Sequence, residues 1–320
     1  MSETDETSGL RELSRILPEK PEKPLDSDCC GSGCVPCVLD IYAEELAIWE
    51  QECARIKAGE TSYSRSDSTV DAESPALSLT DYHRYQIESI IQETHNTWRY
   101  RCRLGRNQSL GLSPGQHVVI RGHLSDKAIT RQYTPVSYVS CKGFFELLIK
   151  VYEDGRMSQV VKTWQVGDWL EVRGPFGTLQ YLPNKYDRII MLAAGTGIAP
   201  MAQLIQSILA NEEEEGKVRL VYACRCYEEV LMRKEIAEWR RFWNFSAVFA
   251  ISQQQDANSS LHQYGEEIIL GRISQDMLVK ELGENWEGTR ILICGTRSFD
   301  AEMQQMLRTL GFPEHRVFKF

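Results

Sequence analysis

The sequence has no long apolar run. None of its 320 residues falls in a stretch near the roughly 20 residues that a membrane-spanning helix needs. The polar, acidic start lacks the apolar core of a secretory signal, and its acids disfavour a mitochondrial transit peptide. Positive charge is not in excess either, with 36 Lys and Arg against 45 Asp and Glu and a net charge of -9. That balance argues against a nucleic-acid partner and against attraction to anionic lipid. Internal repeats are missing, which excludes solenoids and propellers. These absences leave an expected intracellular, cytoplasmic protein with no transmembrane anchor, reaching endoplasmic reticulum or mitochondrial surfaces only through a partner. What is present is globular in proportion, with 42% hydrophobic and 25% charged residues in a length suited to two domains.

Residues 1–28 are polar and Pro-dotted and read as a disordered leader. Residues 29–57 join a cysteine cluster to a helix. From residue 38, Val38, Ile41, Tyr42, Leu46 and Trp49 recur near one face, and Asp40 sits in the first turn where a helix favours acids. Residues 58–79 are rich in Gly, Ser, Thr and Asp and read as a linker. Residues 80–185 change to short strands: 86–91, 98–104, 117–120, 144–152 and 169–172. Their spacing predicts a small antiparallel barrel or sandwich. Residues 186–320 alternate strands (188–194, 218–223, 245–251, 290–294) with helices (201–210, 228–239), which predicts a doubly wound, mostly parallel sheet.

Three short strings carry chemistry. Gly195-Thr-Gly-Ile-Ala-Pro200 follows an apolar strand and opens a helix. Its glycines permit a tight turn and close approach to a phosphate, and the helix start offers unpaired N–H groups. Residue 200 is Pro, so the full G-x-G-x-x-G fingerprint is not met, and a plain strand–turn–helix link is the alternative. In Arg131-Gln-Tyr-Thr-Pro-Val-Ser137, Arg131 suits a pyrophosphate, Tyr133 an aromatic ring and Thr134 its polar edge. The alternative is a strand entering a Pro turn. Gly155-Arg-Met-Ser158 reads as a turn into a helix whose first amides face an anion, with an ordinary cap by Ser158 as the alternative. Gly174-Pro-Phe-Gly177 reads as a tight turn. Six scattered cysteines (Cys53, Cys102, Cys141, Cys224, Cys226, Cys294) are expected to be free thiols.

Taken in order, R-x-Y-T-P-x-S, I-K-V-Y, G-x-M-S, G-P-x-G, G-T-G-I-x-P, Cys294-Gly295 and a terminal Phe320 resemble the NADH–cytochrome b5 reductase family, within the ferredoxin–NADP reductase-like flavoenzymes. The resemblance spans roughly residues 80–320. It implies an antiparallel FAD-binding barrel followed by an NAD(P)-binding domain. It further implies that Arg131, Tyr133, Thr134, Pro135 and Ser137 hold FAD, that Leu148, Lys150 and Tyr152 line the flavin from the next strand, and that Gly155, Arg156, Met157 and Ser158 cap its pyrophosphate. Gly195, Thr196 and Gly197 would meet the nicotinamide beside the flavin, Cys294 and Gly295 would flank it, and Phe320 would cover the flavin face. Thr196 and Cys294 are the implied catalytic pair, with Cys294 acting by position. The implied reaction is hydride transfer from NADH, with NADPH as the alternative donor, to FAD, then single electrons to a haem protein such as cytochrome b5. A local basic patch around Lys162, Arg173 or Lys185 would receive that acceptor.

The pattern departs from the family at four places. Cys294-Gly295 continues as Thr296-Arg297-Ser298-Phe299 where relatives have two prolines and, one residue later, a Met. Ser252-Gln253-Gln254 stands where NADH-specific relatives often place an Asp, while Arg225 would suit a 2′-phosphate. Glu153 replaces a common Phe, and Arg156 replaces a Lys. The loop departure motivates a competing reading: a flavin- or metal-binding interaction module with a degenerate nicotinamide site. Cys29, Cys30, Cys34 and Cys37 resemble an oxidoreductase-like N-terminal segment. Unliganded thiols in a structural turn, a metal or cluster site, and a redox relay are the three readings, in that order; adjacent cysteines make poor joint ligands, so no metal is assigned.

Overall fold

The structure, a computed structural model, describes residues 20–21, 23–24, 38–57, 75–124, 127–253 and 265–320. The cysteine cluster, the leader apart from four residues, and the linker up to residue 74 lie outside the described residues. The helix expected from residue 38 is present as α1 (Val38–Lys57). Ile41 and Cys53 are buried.

The first sheet is built from β1 (His83–Thr94), β2 (Thr97–Arg103), β3 (His117–Leu124), β4 (Lys127–Tyr133), β5 (Phe144–Lys150) and β6 (Trp169–Phe176). Their order is β4-β3-β6-β1-β2-β5, with each neighbouring pair antiparallel. The edge strands meet through a bridge between Pro135 and Leu147, and the Val136 N–H donates to the Glu146 carbonyl at 2.8 Å. This contact satisfies backbone groups that an open edge would leave unpaired and curls the sheet into the expected barrel. Alternation fixes its two faces. Val118 and Ile120 of β3 face the core with Val172 of β6, while Val119 pairs with Arg173 on the outer side. The short helix α2 (Arg156–Val161) packs on β3 and β4 and adds Met157 and Val160 to the core.

The second sheet is parallel throughout, in the order β10-β9-β8-β7-β11-β12. Its strands are β7 (Arg188–Ala194), β8 (Lys217–Cys224), β9 (Phe245–Ile251), β10 (Glu267–Leu270), β11 (Thr289–Cys294) and β12 (Val317–Lys319). Helices α3 (Ile198–Leu209) and α4 (Arg233–Trp239) cover one face. Helices α5 (Gln275–Leu282) and α6 (Arg297–Thr309) cover the other, as a doubly wound sheet requires. Strand order reverses between β7 and β11, so a crevice opens at their carboxyl ends, where such folds place ligands.

Several local expectations change. The proposed turn at 174–177 is mostly strand, because β6 runs through Phe176. Arg131 to Tyr133 end β4, which matches the alternative of a strand entering a Pro turn. The helix expected over 228–239 is a 3-10 turn at Tyr227–Glu229 followed by α4, with Met232 left-handed between them. Strands β4, β10 and β12 and helices α5 and α6 had no separate sequence expectation. Ala76 and Leu77, counted with the linker, are buried in the barrel core, and the Gly174 N–H donates to the Ser78 carbonyl at 3.0 Å.

Candidate functional site

The barrel side of the site begins on β4. Arg131 pairs with Ile120 and Tyr133 with Val118, so both project to the inner face of the strand. The Arg131 guanidinium donates to the Thr130 carbonyl at 2.7 Å. Burial pushes the Tyr133 phenol upward, and it stays neutral at any physiological pH. Thr134 and Ser137 are half-buried, and Pro135 is buried in the bridge to β5. Ser137 does structural work, its hydroxyl accepting from the Glu146 N–H at 3.1 Å. The segment is held from the second domain as well, because the Gln206 amide of α3 donates to the Val136 carbonyl at 2.9 Å.

The next barrel strand faces the other way. Leu148 joins the core of the second domain, and Lys150 reaches Glu229 at 3.8 Å. Tyr152 is exposed beyond the strand end. Gly155 caps α2 with extended backbone and, among the described residues, no side-chain cap bond. The Ser158 hydroxyl instead accepts from the Tyr152 N–H at 3.0 Å, so the alternative of an ordinary Ser158 cap does not hold. A Cβ at Gly155 would lie 2.6 Å from that hydroxyl. Met157 and Ser158 are buried, and Arg156 is half-buried. The first turn of α2 has no side-chain cap bond among the described residues, so its amides could serve an anion.

The second domain supplies two loops at the switch point. Gly195–Gly197 forms a 3-10 turn, and Gly195 has φ +54, a left-handed value. The Tyr222 hydroxyl of β8, wholly buried, donates to the Gly195 carbonyl at 2.8 Å and fixes the turn from below. Gly197 lies against the end of β11, where a methyl group would overlap the Cys294 carbonyl. The two loops therefore touch, with Thr196 half-buried at their edge. Burial, with the Asp300 charge adding to it, pushes the Cys294 thiol upward. It is therefore a poor nucleophile.

Beyond Gly295 the departing sequence has a structural account. Thr296 caps α6, its hydroxyl accepting from the Phe299 N–H at 3.3 Å. The Phe299 ring lies over Gly295, where a Cβ would crowd it. Asp300 is buried in the first turn, a residue that sequence analysis passed over because an acid there reads as an ordinary helix-dipole partner. Phe320 is half-buried, its N–H donating to the Ile293 carbonyl at 3.0 Å and its ring 5.1 Å from that of Phe318 in a T-shaped pair.

Away from the crevice, Arg173 is not the docking-patch residue expected of it. It is 1% exposed, under α1, whereas Lys162 and Lys185 are exposed. Arg225 is exposed at the end of β8 beside Ser252, whose N–H bonds the Cys224 carbonyl at 3.0 Å. The six cysteines expected to be free are free.

Comparison with known proteins supplies family context. Residues 84–181 match an oxidoreductase FAD-binding domain and residues 191–306 an oxidoreductase NAD-binding domain. Residues 15–58 match the N-terminal part of oxidoreductase-like proteins. The chain is 38% identical over 321 residues to the NADH-cytochrome b5 reductase-like protein of Homo sapiens, covering 100% of both. It is 34% identical over 247 residues to NADH-cytochrome b5 reductase 1 of Dictyostelium discoideum, covering 77% of this chain and 84% of that one. The cytochrome b5 reductase domain of Ulva prolifera nitrate reductase superposes with a TM-score of 0.67 at 26% identity, covering 77% of this chain and 100% of that one.

Proposed function

The chain belongs to the NADH–cytochrome b5 reductase family of FAD- and NAD-dependent oxidoreductases, and from that premise we propose how its residues divide the work. Arg131, Thr134, Pro135 and Ser137 would hold FAD along the end of β4, with Tyr133 against its ring system. The uncapped start of α2 fits a diphosphate: Gly155, Arg156, Met157 and Ser158 offer N–H groups and a cation there. Leu148, Lys150 and Tyr152 would border the flavin from β5. FAD supplies a carrier that takes a hydride and releases electrons singly, and the protein supplies orientation.

Gly195, Thr196 and Gly197 would receive the nicotinamide end of NADH, and Cys294 with Gly295 would flank it. Phe320 would cover the flavin face until the nicotinamide arrives. None of these side chains needs to exchange a proton. Thr196 and Cys294 act by placing the donor carbon against the acceptor and by excluding water. The observation that carries this reading is the contact of the Gly197 and Cys294 loops at the switch point of the parallel sheet.

NADH is the assigned donor, with NADPH second. Arg225 and Ser252 stand together where an acid would have excluded a 2′-phosphate, so discrimination is expected to be modest. The acceptor is a haem protein of the cytochrome b5 type, met through exposed Lys162 and Lys185. The test is an anaerobic titration with NADH and then NADPH, following the visible flavin bands. Bleaching near one equivalent supports the reductase and identifies its donor. A yellow protein that neither nucleotide bleaches overturns the nicotinamide site, and a colourless protein overturns the FAD assignment. Acceptor docking is tested by Lys162→Glu with Lys185→Glu, which should slow cytochrome b5 reduction several-fold and leave flavin bleaching unchanged.

A further inference from the structure

Hydride transfer requires no amide side chain, but α3 buries two where apolar residues would fit. Gln203 is 0% exposed and Gln206 5%. They stand three residues apart, so both project from one face of the helix. That face meets the barrel. Gln203 Oε1 accepts from the Gly115 N–H at 3.0 Å, and Gln206 Nε2 donates to the Val136 carbonyl at 2.9 Å. The second polar atom of each amide, Gln203 Nε2 and Gln206 Oε1, has no hydrogen-bond partner among the described residues. A buried polar atom left without a partner costs about 1–3 kcal/mol, so stability alone does not account for these two side chains. What they supply is position.

Both bonds fall at one end of the barrel. Gly115 lies just before β3, and Val118 of that strand is opposite Tyr133, so the start of β3 runs beside the end of β4. Val136 follows β4 inside the Arg131–Ser137 motif, and its own N–H is committed to the Glu146 carbonyl at 2.8 Å. The N-terminal end of the same helix carries the other loop of the site, because the Gly195–Gly197 turn runs directly into Ile198. At 1.5 Å per residue, Gln203 and Gln206 lie about 9 and 14 Å along the axis from Gly197. All of α3 except Ser207 is buried, so the helix is clamped along its length. We propose that Gln203 and Gln206 are positioning residues: their bonds to Gly115 and Val136 lock α3 to the Arg131–Ser137 end of the barrel and so set the distance between the nicotinamide loop and the flavin. The inference rests on the cofactor placement proposed above.

The test uses the full-length chain as wild type, Gln203→Met, Gln206→Met and the double variant. Met keeps the unbranched shape and approximate volume of Gln and removes its polar atoms. One readout needs no cofactor. Hydrogen exchange at the Gly115 amide should lose protection at least about tenfold in Gln203→Met and keep it in Gln206→Met. In the FAD-loaded enzyme, flavin reduction at saturating NADH should slow about tenfold in each single variant, with flavin content and affinity for NAD+ within about twofold of wild type. The primary isotope effect from NADH deuterated at the transferred position should rise, because the hydride step itself is slowed. Ser207→Ala is the control: that hydroxyl donates to the Gln203 carbonyl within the helix at 2.8 Å, and its loss should leave every readout at the wild-type level. Reduction within about threefold of wild type in the double variant overturns the proposal. So does a parallel loss of NAD+ affinity, equal slowing by Ser207→Ala, or loss of exchange protection across the whole chain. Failure of wild type to be bleached by either nucleotide, with the Gly115 exchange result intact, would instead sink the nicotinamide placement.

Discussion

Gly197 shows how much a single side chain decides. Its φ of -61 is ordinary, so its identity is set by space: any Cβ would run into the Cys294 carbonyl. Gly197→Ala should force β7 and β11 apart at the switch point, lowering stability by about 1–3 kcal/mol and slowing flavin reduction more than ten-fold. Denaturant unfolding and stopped-flow reduction would measure the two losses. Asp300 makes the opposite prediction for stability. Its folded-state value, about 6, lies above the ordinary 3.8. A raised acid contributes stability that is fully present below the unfolded value and lost as pH rises through the folded one. Ionised Asp300 therefore destabilises the fold above pH 6. Asp300→Asn should raise the unfolding free energy at pH 8 by an amount on the order of 3 kcal/mol, at about 1.4 kcal/mol per unit, and with it the melting temperature, and leave both nearly unchanged at pH 3.5. A melting temperature lowered at pH 8 would count against it.

Helix α1 is the element whose role the tertiary structure adds. It docks at the outward-facing Arg173 of β6, the residue that pairs with Val119 of β3. Its polar anchor is Glu45, which accepts from the Tyr82 hydroxyl and sits 3.8 Å from the buried Arg173 guanidinium. Arg173 also lies over the Tyr82 and Phe176 rings, each at 5.3 Å. A helix of 20 residues with one modest apolar face is marginal by itself, so its order depends on this docking. Glu45→Ala leaves a buried guanidinium without its carboxylate, a loss of roughly 1.5–3 kcal/mol. Cys53, 5% exposed on the same helix, should then react with iodoacetamide at least about ten times faster. Peptide mass spectrometry distinguishes it from the other nine cysteines. Unchanged Cys53 labelling would mean that Ile41 and its apolar neighbours hold the helix without Glu45.

At the scale of the whole molecule, the two sheets are joined by polar contacts around Arg99. Its guanidinium meets Glu93 at 2.5 Å and Glu146 at 3.1 Å within the barrel, and Glu235 of α4 at 2.6 Å across the domain boundary. The Gly115 N–H donates to Gln203 at 3.0 Å, and Lys150 pairs with Glu229. A hydride passes only over contact distance, so this boundary has to be stiff. Arg99→Ala leaves three carboxylates facing one another and should cost about 3 kcal/mol. A double-mutant cycle with Glu235→Ala should return a coupling of about 1 kcal/mol, and both variants should slow flavin reduction although neither residue belongs to the proposed cofactor site. Additive effects would show that the Arg99–Glu235 contact does not couple the two domains.

The sequence by itself determined the two-sheet architecture, the helix from residue 38 and the family, because alternation, helical periodicity and glycine-bearing turns are local properties that neighbouring residues enforce. The motif around Arg131 and the strand-to-helix turn at Gly195 were legible for the same reason: their residue types stand side by side in the chain. Tertiary structure alone decided what depends on elements distant in the chain. Arg173 reads as a surface cation until α1, more than a hundred residues earlier, closes over it. Asp300 reads as a helix-start acid until α6 packs on the sheet and buries it. A charge beside water and the same charge in a core have identical sequence neighbours. Burial, which sets its energy, is fixed only when the chain has packed against itself.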